Sequence, residues 1–154
     1  MKFYTSYFYM IRFFTPDIIP ISTARFDPKW YHEGKRNDHG FYDKNHVLNG
    51  LRMEALAPSL RISSECGGHD CTKSPDSCEF IKEYRKQIEA LNIDDVIKVL
   101  TRYAKSYCLI NRIKKEPSVA FIFHEAPDNP CSERWVIQQW FRDHGIKIEE
   151  YQKG

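Results

Sequence analysis

No apolar run in this chain approaches the length of roughly 20 residues that a membrane-crossing helix needs. The start, MKFYTSYFYMIRFFTP, interrupts its aromatics with Thr5, Ser6 and Arg12, where an export signal needs an unbroken apolar stretch. A cytoplasmic location with no membrane partner is therefore expected. Charge of one sign is also missing: 23 Lys and Arg stand against 21 Asp and Glu, a formal net of +2. That balance argues against a nucleic-acid or anionic-lipid surface as the main partner. No internal repeat or low-complexity segment appears, and no two of the five cysteines are spaced as the tight pair of a zinc ribbon or finger.

The composition that remains is ordinary. Apolar residues make up 42% and charged residues 29%, and 14% aromatics supply enough burying power to exclude a disordered chain. At 154 residues one domain is the natural reading.

Residues 2–9 and 18–24 read as strands, aromatic-rich or bounded by prolines. The linker between them is too short for an ordinary parallel crossover. Either residues 10–15 make a tight helical turn, or the two strands are not simple neighbours. Residues 25–50 form a long polar stretch rich in turn residues, and residues 63–78 a cysteine-rich loop. Phe80, Ile81, Tyr84, Ile88 and Leu91 recur at helical spacing, with Ser74 or Ser77 available as cap. A second helix carries Val96, Ile97, Leu100 and Tyr103 on one face, capped by Asn92 or Asp94. Residues 119–124, VAFIFH, read as a strand buried on both faces. Asn129 and Pro130 suit a helix start, Val136, Ile137, Trp140 and Phe141 form one stripe, and residues 146–151 alternate like an outer strand. This last third is a βαβ unit. The expected fold is α/β: a Rossmann-like domain with a mostly parallel sheet flanked by helices, carrying the cysteine-rich loop as an insertion.

In open parallel sheets ligands bind beyond the carboxyl ends of the strands. Glu125 falls there, as a candidate general acid or base whose pKa burial would raise. Cys131, at a helix start, is a candidate nucleophile, but a helix dipole worth about 0.3–1 kcal/mol lowers a thiol by less than about one unit. Arg25 ends the second strand and suits a phosphate or carboxylate through its fork, or else an ion pair with Glu125. Ser6, Ser132 and Arg134 complete the candidate ligand contacts. Cys66, His69, Cys71 and Cys78 offer soft ligands for zinc or iron, with Cys131 as another donor; free or redox-active thiols are the other reading. Five cysteines in a cytoplasmic chain are expected to be reduced, with Cys108 a packing residue. Trp30, Tyr31, Phe41 and Tyr42 lie among Lys29, Lys35 and Arg36, a pattern able to stack on bases, though diluted by Asp27, Glu33, Asp38 and Asp43.

YTSYF at residues 4–8, IPISTARFDPKWY at 19–31, LAPS at 56–59, the helix at 78–92 and VAFIFHEAPDNPCSERWVIQQWF at 119–141 together resemble the bacterial and phage family called Domain of Unknown Function 488. The resemblance runs in the same order over nearly the whole chain. It implies a small Rossmann-like α/β domain, a strand-ending arginine matched by Arg25, and a late strand followed by a glutamate, a proline and a Cys-His-Arg motif. Glu125, Pro127 and Cys131 match that motif. Ser132 replaces its histidine and Glu133 its arginine, with Arg134 one place later; Phe123 stands where a cysteine is usual. The family implies a pocket but no established activity. The expectation is an enzyme-like domain that binds a nucleotide-like or phosphorylated small molecule and carries out hydrolysis or group transfer. The alternative is a non-enzymatic, metal-stabilised module with a protein or nucleic-acid partner.

Overall fold

The computed structural model describes residues 1–32, 51–65 and 78–153. Four strands, β1 (Lys2–Tyr7), β2 (Ile18–Ser22), β3 (Ser118–Phe123) and β4 (Glu149–Glu150), make one sheet in the order β2-β3-β1-β4. Every pairing is parallel, with Thr5 opposite Phe121 and Ile21 opposite the same residue from the other side. The helices are α1 (Leu60–Glu65), α2 (Glu79–Glu89), α3 (Ile93–Asn111) and α4 (Glu133–Asp143).

The short first linker does make a helical turn, two residues earlier than residues 10–15, and the two strands are not direct neighbours. A 3-10 helix spans Phe8–Phe13, and β3 sits between β1 and β2. β1 stops at Tyr7, two residues earlier than the sequence pattern predicts, because Phe8 turns away into the 3-10 helix and the second core.

Alternation along the strands sends side chains to two cores. Phe3, Ile19, Ile21, Val119, Phe121 and Phe123 face the α-helices, against Tyr84, Leu100 and Phe141 among others. Ala120 and Ile122 face the opposite way, under Phe8, Ile11, Phe14 and Tyr31. The α-helices and the 3-10 turn Glu54–Leu56 thus pack on one face of the sheet, and the 3-10 segments Phe8–Phe13 and Lys29–His32 on the other. This matches the direction of the connections: β1 to β2 runs one way across the sheet, and β2 to β3 and β3 to β4 run back.

Helix boundaries follow local chemistry. The Asn92 side chain accepts from the amide of Asp95 at 3.1 Å and caps α3. Arg112 closes that helix in the left-handed region at φ 56°. Cys78, not Ser74 or Ser77, stands at the N-cap of α2, and its side chain makes no cap bond. No described helix is long and apolar enough to cross a membrane.

Phe121 is the centre of the larger core. It has no exposed surface, stacks with Phe3 and meets Phe141 edge-on at 5.4 Å between centroids. Phe121→Ala is expected to cost about 3–5 kcal/mol, read as a lowered urea midpoint with an unchanged slope. A loss below about 1 kcal/mol would contradict this placement.

Candidate active site

β1 and β3 lie side by side, yet their outgoing connections leave to opposite faces of the sheet. In open parallel sheets such a divergence marks the place, at the carboxyl ends of the two strands, where a ligand crevice is expected. The crevice is bordered by Ser6 and Tyr7 from β1, by Glu125 just past β3, and by the turn that leads into α4.

That turn differs from the pattern expected of it. Asn129 accepts the amide of Cys131 at 2.8 Å and so stabilises the turn rather than the helix. The N-cap is Ser132, whose Oγ accepts from the amide of Arg134 at 3.3 Å, and α4 begins at Glu133. Cys131 therefore precedes the helix, and the dipole argument for a lowered thiol does not reach it. Its sulfur is disulfide-bonded, whereas Cys78 and Cys108 are free. The expectation of a reduced thiol at position 131 is corrected accordingly.

Ser132 has a second task. Its hydroxyl donates to Glu125 Oε1 at 2.7 Å, which fixes the carboxylate at the end of β3. Glu125 is only half-buried. The desolvated carboxyl is its neighbour Glu133, 2% exposed, which faces Glu125. Burial pushes the Glu133 pKa well above the usual carboxylate range; the charge of Glu125 and a hydrogen bond with it push the same way, and Arg134 offsets part of this. The two carboxyls are thus coupled, and Glu133 holds its proton more tightly than an ordinary glutamate does. Beneath them the buried phenol of Tyr84 donates to the carbonyl of Leu56, and its pKa is raised by burial and by both glutamates.

Arg134 lies under the crevice with no exposed surface. Its Nη2 donates to the carbonyls of Ser6 at 3.0 Å and Glu125 at 2.7 Å, and its Nε lies 3.2 Å from Glu150 Oε1. Tyr7 presents its ring to the guanidinium at 5.8 Å and Phe123 at 5.6 Å. Burial lowers the Arg134 pKa, against the pull of Glu150, Glu125 and Glu133. This arginine braces strand ends from below through Nη2, while its Nη1 is buried with no hydrogen-bond partner among the described residues.

Arg25 does not pair with Glu125. Its Nη2 donates to Glu54, beyond the end of β2. Ser6 is buried at the end of β1, and its hydroxyl has no hydrogen-bond partner among the described residues. Tyr31 is not available for stacking on a base, being fully buried with its hydroxyl donating to the carbonyls of Pro20 and Leu51. Cys66, His69, Cys71, Lys35, Arg36, Phe41 and Tyr42 lie outside the described residues. Cys78 is buried at the head of α2 with a free thiol, and no cluster of three or more His, Cys, Asp or Glu suited to a metal occurs among the described residues.

The structure therefore gathers Ser6, Glu125, Ser132 and Arg134 at one crevice and sets Arg25 at the next strand end. Glu133 is the residue sequence reasoning missed in its role. Its signal was present: Glu133, Ile137 and Trp140 fall at i, i+4 and i+7, which puts the carboxyl on the apolar stripe of α4. Compared with models of known protein families, with curated proteins and with solved structures, the chain has no match in any of the three.

A buried carboxyl with a raised pKa holds a proton that the unfolded chain releases. Its penalty is absent below the unfolded pKa of about 4.3 and grows as pH rises toward the folded pKa. Glu133→Gln removes that term. Unfolding free energies measured across pH 4–8 should show a less steep decline in Glu133→Gln, which gains on the parent chain as pH rises. Parallel curves would contradict the assignment.

Proposed function

We propose that this chain is a small hydrolase or transferase acting on a phosphorylated or nucleotide-like molecule bound at the crevice between β1 and β3. One observation carries the reading: the Glu125 carboxylate, at a half-buried position past the end of β3, is held by Ser132 and faced by the buried Glu133 carboxyl, whose pKa is raised. A general base needs a fixed carboxylate of tuned basicity, and this pair supplies both.

In the proposed step Glu125 takes a proton from the attacking water, or from an acceptor hydroxyl in the transfer reaction. The oxygen then bonds to the electrophilic carbon or phosphorus as the leaving oxygen or nitrogen departs with the bonding pair. Glu125 returns the proton to the leaving atom. Glu133 is a positioning residue, since its hydrogen bond with Glu125 sets the basicity of that carboxylate. Cys131 has no part in this chemistry. The resemblance to the Domain of Unknown Function 488 family supports the same location, and we read the chain as a divergent relative of that family.

The competing reading is a non-enzymatic binding module. It draws support from the extent to which Arg25 and Arg134 are already partnered within the chain.

The test is turnover of a panel of nucleotides and sugar phosphates, followed by release of phosphate and of free base. Glu125→Gln should keep the fold and the affinity for the substrate identified, and lose about 10²–10⁴-fold in kcat. Full activity in Glu125→Gln would overturn the catalytic assignment. Binding without turnover by the parent chain would favour the module.

A further inference from the structure

Beyond the end of β2 two arginines converge on one glutamate. Ser22 forms a parallel bridge with Arg52, which places the short segment 51–53 along the free edge of β2. Arg25 Nη2 donates to Glu54 Oε1. Arg52 donates to the other oxygen, Oε2, through Nε at 3.0 Å and Nη2 at 2.7 Å. Each carboxylate oxygen thus has its own guanidinium.

The two arginines are braced from behind. Arg52 Nη1 donates to Asp27 Oδ2 at 2.8 Å, and its Nη2 also donates to the carbonyl of Ala24 at 3.0 Å. The Asp27 side chain is 2% exposed, and it also accepts from Ser22 Oγ and meets His32 Nε2 at 2.8 Å. Arg25 Nη1 reaches the carbonyl of Pro58 at 3.4 Å, and Arg25 Nε is buried with no hydrogen-bond partner among the described residues. The glutamate itself is 60% exposed.

An exposed ion pair contributes little to stability, which gives little reason for two guanidinia to be held ready for a surface carboxylate. Paired forks across two oxygens are how proteins grip carboxylate and phosphoryl groups. A carboxylate offers two oxygens and a phosphoryl group three, and the idle Arg25 Nε leaves one donor over. Removing Glu54 would also leave two cations against the single charge of Asp27, a net positive site.

We propose that Arg25 and Arg52 form a phosphoryl-binding clamp at the carboxyl end of β2, and that the Glu54 carboxylate occupies the place of the ligand's oxygens until a ligand displaces it. The proposal rests on the reading above only for the ligand being phosphorylated. Phosphate binding is read without turnover, so its failure leaves the Glu125 assignment standing, and a failure of Glu125→Gln to lose activity leaves the clamp standing.

Calorimetric titration of inorganic phosphate into the full chain at low salt tests it. Glu54→Gln should bind phosphate about tenfold tighter than the parent chain, since the competing charge is gone. Glu54→Gln combined with Arg25→Gln should lose that gain. Acetate should gain less than phosphate, and glycerol phosphate should match inorganic phosphate if the clamp accepts a monoester as well as the free ion. Should Glu54→Gln not fold, the parent chain compared with Arg25→Gln carries the test, with phosphate binding expected in the first alone. No gain in a folded Glu54→Gln, or a gain that survives loss of Arg25, would overturn the clamp. An equal gain for acetate would overturn its phosphoryl preference.

Discussion

Arg134 is a cation placed wholly out of water, and the crevice is organised around it. It holds the carbonyl of Ser6 from β1, the carbonyl of Glu125 from beyond β3, and the carboxylate of Glu150 in β4. A buried charge left without partners costs several kcal/mol, so the sequence must surround this one. The partners are themselves secured. Glu150 is tied in turn to Thr5, whose hydroxyl also accepts from Gln138 at 2.7 Å, while Tyr7 and Phe123 lay their rings toward the guanidinium. The polar seam runs through a sheet whose two faces are otherwise packed with aromatic and branched side chains.

The same arginine shapes the acid centre above it. By gripping the Glu125 carbonyl it sets where the backbone leaves β3, and Ser132 then decides where the carboxylate points. Glu133 lies on the dry side of that arrangement. One positive charge close to two carboxyls, with Glu150 also claiming it, is too little to ionise both in a desolvated space. The pKa of Glu133, the more buried of the two, is therefore raised. Arg25 and Arg52 work in the opposite regime: they stand near the surface, and their partner is an exposed side chain that water and ligands can reach.

The fold was largely legible from hydrophobic period and turn chemistry. VAFIFH could hardly be anything but a strand buried on both faces, and Asn92 marked the start of α3 through its own side chain. Strand order was not legible, because it depends on which face each connection crosses, and the short first linker allowed two answers that prove to hold together. The start of α4 was misplaced for a local reason. Asn129 and Pro130 carry good cap chemistry, but Asn129 spends it on the preceding turn, and Ser132 takes the cap. At the site, Glu125 and Arg134 could be named from their position past a buried strand. Their partners could not, and neither could that of Arg25, since Glu54 is 29 residues away from it and nothing local announces the pairing. Glu133 was readable as a helix-stripe residue, but its protonation depends on burial and on Glu125, which only the packed structure reveals.

The central claim is that burial and the Glu125 charge raise the pKa of Glu133 well above that of an ordinary glutamate. A carbon-detected NMR titration of the glutamate side-chain carboxyls, in the parent chain and in Glu125→Gln, tests it most directly. The account predicts one carboxyl, assigned to Glu133, that titrates well above the usual value of about 4.3 and moves downward when the Glu125 charge is removed. Glutamates that all titrate near that usual value in the parent chain would contradict it.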